Sequence, residues 1–185
     1  MPILPRQIDL FPADLLDQER GAEGGERWLA LYTLARREKD LMRKLEAAGI
    51  PFYGPLIRRR LRSPGGRTRW SHVPLFPGYV FSLADEVQRR AALATNAVAR
   101  WIPVTDDVML VRDLRAVKQL IDADRPLTPE ARMEPGDPVR VRSGPLRGIE
   151  GAVIRRRGVE RLLVAVRFLN QGASIEIEDV DLEPL

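Results

Sequence analysis

The sequence predicts an α+β protein: an N-terminal α/β sandwich, with a small, mostly antiparallel sheet and helices, followed by a small five-stranded β-barrel. Three observations carry this reading. Strand-length apolar runs alternate with segments of helical period over residues 27–124. A stretch with two prolines, RPLTPEARME at 125–134, then reads as a linker. Beyond it, residues 135–185 hold only short alternating runs punctuated by glycine, the pattern of a small barrel. A chain of 185 residues with 44% hydrophobic residues can bury a core of this size.

Each element follows from local chemistry. Residues 1–26 hold two bases and six acids among scattered Pro and Gly, and are expected to be an acidic flexible leader. WLALY at 28–32 is a strand. From Arg37 to Ala48, Leu41, Leu45 and Ala48 share a helical face, Asp40 and Lys44 form an i,i+4 pair, and Gly49 stops the helix. PFYGPLI from Pro51 is extended, and in LFPGYVFSL Tyr79, Phe81 and Leu83 share one face at period two. A second helix is expected from Asp85 to about Ala97 on Val87, Ala91 and Ala94, a strand at 99–104, and a third helix from about Asp113 on Leu114, Val117 and Ile121. In the barrel segment, Val139 and Val141 alternate with arginine, a glycine-rich turn follows, and Leu162, Val164, Val166 and Phe168 alternate before Ile175 and Ile177.

Composition excludes several chemistries. No cysteine is present and His72 is the single histidine, so thiolate sites, cysteine nucleophiles and multi-histidine metal centres are ruled out. Neither a cofactor nor a catalytic group is expected, because His72 lies among arginines with no orienting carboxylate near it in sequence. No apolar run approaches about 18 residues, so a protein without membrane association and with a cytoplasmic location is expected. The net charge of +4 conceals a partition: residues 27–124 hold 18 bases and 10 acids, while 135–185 hold eight of each.

Three features could carry function. Six arginines (Arg58, Arg59, Arg60, Arg62, Arg67, Arg69) flank the turn Pro64-Gly65-Gly66 with no acid among them, and Trp70 and His72 follow. Such a hairpin can neutralise several phosphates at once, and a tryptophan ring can stack on an unpaired base. Aromatic residues gather on the first strands: Trp28, Tyr32, Phe52, Tyr53, Phe76, Tyr79 and Phe81. Spacing alone favours core for them, with a docking patch at Tyr32, Tyr79 or Phe81 as the alternative. In GDPVRVRSGPLRGIEGAVI, three glycines bend a strand pair and are expected to leave Leu146 and Ile149 exposed at a loop tip.

The order WLALYTLARREKDLMRKL, basic hairpin, PLFPGYVF, ARWIPV, helix, linker, GDPVRVRSGPLRGIEGAV closely resembles the NusG family of bacterial transcription elongation factors, including its RfaH-like specialised paralogues. The resemblance spans about Arg27 to Leu185. It implies an NGN domain at 27–124 and a KOW barrel at 135–185. It also implies that an apolar patch at Tyr32, Phe76, Tyr79 and Phe81 binds the β′ clamp helices of RNA polymerase, reversing the core reading at those positions. The arginine hairpin would lie near upstream or non-template DNA. The barrel would recruit ribosomal protein NusE or the termination factor Rho through Leu146, Ile149 and Phe168, and a monomer is expected. Housekeeping members carry a segment like FGRxTPVEL where this chain has FLNQGASIEIEDV, which favours an operon-specific antitermination factor. The β-branched alternation after 135 favours a barrel with no switch to helix.

Two other classes compete with this reading. A KOW-type RNA-binding or ribosome-associated protein would account for the barrel and hairpin without a polymerase. A small hydrolase using His72 would need an acid that the hairpin does not supply.

Overall fold

Trp28–Tyr32, the first strand that the sequence predicts, lies in an interior strand of a sheet in the computed structural model, which describes residues 7–17, 25–62, 65–66, 68–133, 135–177 and 180–185. Two compact units divide at Asp107/Val108. The α+β class holds, with sandwich and barrel-type portions in the expected order.

The sheet of the first unit is built from β1 (Leu10–Phe11), β2 (Arg27–Thr33), β3 (Phe52–Tyr53), β6 (Tyr79–Ala84) and β7 (Val98–Pro103). These five strands are antiparallel, in the order β1-β3-β6-β2-β7. A separate hairpin comprises β4 (Leu56–Arg62) and β5 (Thr68–Pro74). Helix α1 (Glu38–Ala47) buries Leu41, Met42 and Leu45 against Leu29, Leu31 and Val80 of the sheet and Phe52, in one hydrophobic cluster. Helix α2 (Glu86–Leu93) starts at a capping box in which the Asp85 side chain accepts from the Gln88 backbone N–H and the Gln88 side chain accepts from the Asp85 N–H. It is shorter than the sequence predicts, and its inward residue is Ala92 rather than the expected Val87, which is 74% exposed. The capping box fixes where the helix starts, and a helix of about two turns with only four apolar residues gives hydrophobic periodicity little weight.

The acidic leader is not uniformly flexible. Leu10 and Phe11 pair with Tyr53 and Phe52, Phe11 stacks on Phe52, and Leu15 and Leu16 are buried. Four apolar side chains among the acids of this segment suffice to pack it, and their burial outweighs the local charge. Residues 1–6 and 18–24 lie outside the described residues.

In the second unit, β8 (Leu127–Glu130), β9 (Asp137–Val141), β10 (Glu150–Arg156), β11 (Val159–Val166), β12 (Gln171–Glu176) and β13 (Leu182–Pro184) form one antiparallel sheet of order β13-β9-β10-β11-β12-β8. Val139, Val141, Leu162, Val164, Val166 and Ile175 are buried, as their alternation requires. Two departures stand out. The expected linker at 125–134 supplies β8, a sixth strand paired with β12. Helix α3 (Asp107–Asp122) begins earlier than its apolar spacing suggests and groups by contact with the barrel strands. The cause is a set of polar contacts invisible to periodicity. Asp113 accepts from the Arg167 backbone N–H and guanidinium, Arg112 pairs with Glu150, and the Gln119 side-chain amide donates to the Pro145 and Arg147 carbonyls.

Candidate functional site

The tyrosine pair is built from β2, β6 and the turn before β6. Register sets Tyr32 opposite Tyr79, Ala30 opposite Phe81 and Trp28 opposite Leu83. At the β6 entrance, the Gly78 N–H donates to Glu38 Oε1 of α1 at 2.7 Å, and the Gly78 carbonyl accepts from the Thr33 N–H at 2.8 Å. Gly78 has φ +86, and a Cβ there would sit 3.1 Å from Cε2 of Tyr32, so glycine is required for this turn to lie against the ring. The rings of Tyr32 and Tyr79 then meet edge-to-face at 5.1 Å between centroids, and the Arg100 guanidinium of β7 lies 5.0 Å from the Tyr32 ring.

Both tyrosines are half-buried and present polar tips beside an exposed arginine. Phe76 and Phe81 differ: both are buried, with ring centroids 6.5 Å apart. They cannot offer a surface to a partner as expected. The face that β6 presents is open at Tyr79 and covered two residues on at Phe81.

The arginine hairpin forms a two-stranded ladder with Arg58 opposite His72, Arg59 opposite Ser71 and Arg60 opposite Trp70. Directly opposed residues share a face of an antiparallel pair, so Arg58, Arg60, Trp70 and His72 lie together on one side. All four are exposed, Trp70 at 57%, and the Arg58 guanidinium stacks 4.4 Å from the Trp70 ring. Arg62 and Arg69 continue the ladder by backbone register, opposite Thr68 and Leu61. Arg67 lies outside the described residues. The side presented is cationic and aromatic at once, which suits an unpaired nucleotide: phosphate to guanidinium, base to indole. Ser71 and His72 are consecutive strand residues and point to opposite faces, so Ser71 is not placed for activation by His72.

In the second unit, Leu146 and Ile149 are buried, contrary to the exposed loop tip expected from the glycines. Gly148, at φ +86, turns the chain back so that its N–H donates to the Val141 carbonyl while the Ile149 N–H donates to the Leu146 carbonyl. Phe168 remains half-buried in the 3-10 turn Arg167–Leu169, next to the Arg167 that α3 holds. Glu150 sits among Arg140, Arg112 and Arg167. The hydrogen bond from Arg140 is the main cause holding its carboxyl below the usual glutamate range, against a smaller opposing effect of burial. Asp107, which opens α3, is shifted the other way: burial raises it, offset in part by a backbone hydrogen bond from Trp28.

Two groups escape sequence reasoning. Trp101 on β7, the sheet's edge strand, is 37% exposed with the Arg89 guanidinium 4.2 Å from its ring. The run ARWIP, with Arg and Trp side by side on a strand, was the available signal. Arg161, only 8% exposed, centres a polar network that no alternation pattern indicates. Among the described residues no cluster of metal-ligating side chains occurs, and no helix is long and apolar enough to cross a membrane.

A sandwich whose interior strands carry a half-exposed tyrosine pair, an arginine–tryptophan hairpin and a following barrel-type unit define a two-module α+β protein whose described surface groups suit binding. The family model described as transcription termination factor NusG matches residues 26–130, more than half of the chain, and the chain belongs to the NusG family. It is 25% identical over 179 residues to the transcription termination/antitermination protein NusG of Pseudomonas aeruginosa, covering 85% of this chain and 98% of that one. Against the crystal structure of the MjSpt4:Spt5 complex in conformation B it is 17% identical, covering 85% of this chain and 97% of that chain, with a TM-score of 0.27. Members of the family are transcription termination and antitermination factors.

Proposed function

We propose that the chain is a non-enzymatic, operon-specific elongation and antitermination factor of the RfaH-like kind. In this reading Tyr32 and Tyr79 dock on the clamp helices of RNA polymerase, and the hairpin reaches upstream or non-template DNA. The 3-10 turn around Phe168 recruits a protein partner such as NusE or Rho. The observation that carries the proposal is the placement of the two surfaces on one continuous segment. The hairpin ends at Pro74, and the turn Phe76–Gly78 leads directly into Tyr79. A protein held by the tyrosines therefore presents its arginines at a fixed offset, which fits a factor that touches polymerase and nucleic acid together.

The test separates the surfaces. Tyr32→Ala with Tyr79→Ala is expected to abolish co-migration with core polymerase while leaving the fold intact. Arg58→Ala, Arg59→Ala and Arg60→Ala together are expected to spare binding to free polymerase but weaken attachment to DNA-containing elongation complexes. That triple variant should also reduce the salt slope of attachment by about 2 to 3, from roughly 0.7–0.9 counterions per lost phosphate contact. Equal loss on free polymerase and on complexes would assign the arginines to protein contact. Tight RNA binding that persists without polymerase and without the tyrosines would favour the RNA-binding alternative.

A further inference from the structure

Strand β8 occupies the outer edge of β12, and chemistry rather than apolar burial holds it there. Register places Leu127 opposite Ile175, Thr128 opposite Ser174, Pro129 opposite Ala173 and Glu130 opposite Gly172. Thr128 and Glu130, two residues apart, serve one buried network. Arg161 donates through Nη2 to Thr128 Oγ1 at 2.9 Å and to the Ser174 carbonyl, through Nε to Ser174 Oγ, and through Nη1 to Glu176. Ser174 Oγ donates to Glu130 Oε1 at 2.6 Å, and the Arg156 guanidinium donates to Glu130 Oε2 at 3.2 Å. Glu130, Arg161 and Ser174 are 7%, 8% and 0% exposed.

The acceptor side thus presents the Ser174 hydroxyl of β12 together with the Arg161 guanidinium of β11 and the Arg156 guanidinium of β10, all within reach of one incoming strand. Such an edge selects a hydroxyl and a carboxylate at alternate positions of an incoming strand, since alternate residues of a strand share a face. The strand that now fills it adds little beyond that network. It has four residues, Pro129 offers no N–H to the ladder, and Thr128 and Pro129 are exposed.

We propose that the outer edge of β12 is a strand-acceptor site for an extended peptide presenting a hydroxyl and, two residues on, a carboxylate, filled in cis by Leu127–Glu130 until a partner segment of that pattern replaces it. The partner is an extended protein segment carrying Ser or Thr followed at the second position by Glu or Asp. The site does not depend on the polymerase reading. The cis strand competes as a tethered ligand, at an effective concentration on the order of millimolar. A partner gains access by bringing its segment into proximity through other contacts.

The experiment uses the full-length chain with Pro126–Ala131 replaced by Gly/Ser residues of equal number, and a fluorescein-labelled peptide of residues 125–132, RPLTPEAR. The spectrum of the barrel amides is recorded first. Saturable binding of the peptide to the replaced chain is expected, at least tenfold tighter than to the native chain. Thr128→Ala with Glu130→Ala in the peptide is expected to lower affinity at least tenfold. Three results would overturn the proposal: no binding to a replaced chain that keeps its barrel spectrum, equal binding of the alanine peptide, or collapse of the barrel on replacement. The last would make β8 an obligatory strand rather than an exchangeable one. A full-length Glu130→Gln chain, which keeps the strand but loses its charge, should bind the native peptide more tightly than the native chain does. Unchanged affinity there also counts against exchange.

Discussion

Replacing Gly78 by alanine tests the construction of the tyrosine pair directly. The residue sits at φ +86, where an L side chain costs about 1–2 kcal/mol. Its new methyl would lie 3.1 Å from Cε2 and 3.6 Å from Cδ2 of Tyr32, so the ring must move by a few tenths of an ångström or the turn must open. Opening the turn sacrifices the hydrogen bond to Glu38 or the one from Thr33, each worth about 1 kcal/mol. Relaxation takes the cheaper route, so a total loss of about 1–3 kcal/mol is expected. Urea unfolding followed by circular dichroism measures it as a lower midpoint at unchanged slope. Gly65→Ala is the control, because that glycine is exposed with nothing within 4 Å of an added methyl and no left-handed φ; it should stay within about 0.5 kcal/mol of the native chain. Equal midpoints for the two variants would refute the claim that Gly78 is needed for the approach to Tyr32. Polymerase binding by Gly78→Ala should fall along with stability, because the same ring is displaced.

Three further expectations follow from the geometry. Phe81→Ala should cost about 3–5 kcal/mol in equilibrium unfolding while Tyr79→Ala costs far less, the reverse of their ranking in polymerase binding. Trp70→Ala should weaken binding to single-stranded DNA by about 1–3 kcal/mol in fluorescence anisotropy, with a smaller effect on duplex, as a stacking contact requires. Glu150 has a lowered carboxyl pKa, so its pairing with Arg140 stabilises above the ordinary glutamate range and is lost as pH falls through the folded value. The stabilities of the native chain and Glu150→Gln should therefore differ by no more than about 1 kcal/mol near pH 7 and converge as the pH falls below the ordinary glutamate range; a gap that widens in acid would contradict the assignment.

Elements with a strong local period were legible. The β2 run, α1 with its Gly49 stop and the alternation of Val139, Val141, Leu162, Val164 and Val166 all depend on neighbours within a few residues, and these formed as read. The hairpin was legible for the same reason, since the Pro-Gly-Gly turn signal and the flanking run of like charges are local and point to two exposed strands. What failed depends on distant partners. Leu15 and Leu16 are masked by flanking acids, and only tertiary burial shows that they pack. Strand β8 holds Pro129 and directly follows Pro126, which read as loop, and its pairing is specified by Arg161 and Ser174 more than thirty residues away. The grouping of α3 with the barrel turns on Asp113 and Arg167, separated by 54 positions. In the site, sequence distinguished neither the half-exposed Tyr79 from the buried Phe81 nor a tucked Leu146 from a loop tip, because period two assigns a face without saying what covers it.

The three tryptophans occupy three surroundings: Trp28 is enclosed in the sheet at 3% exposure, Trp101 lies partly open beneath Arg89, and Trp70 stands in solvent beneath Arg58. Their emission should accordingly separate by wavelength, blue for Trp28 and red for Trp70. The chain therefore contains its own optical readout: quenching by iodide at the red edge would report occupancy of the hairpin, while the blue component would follow integrity of the sheet in the same sample, with no label attached.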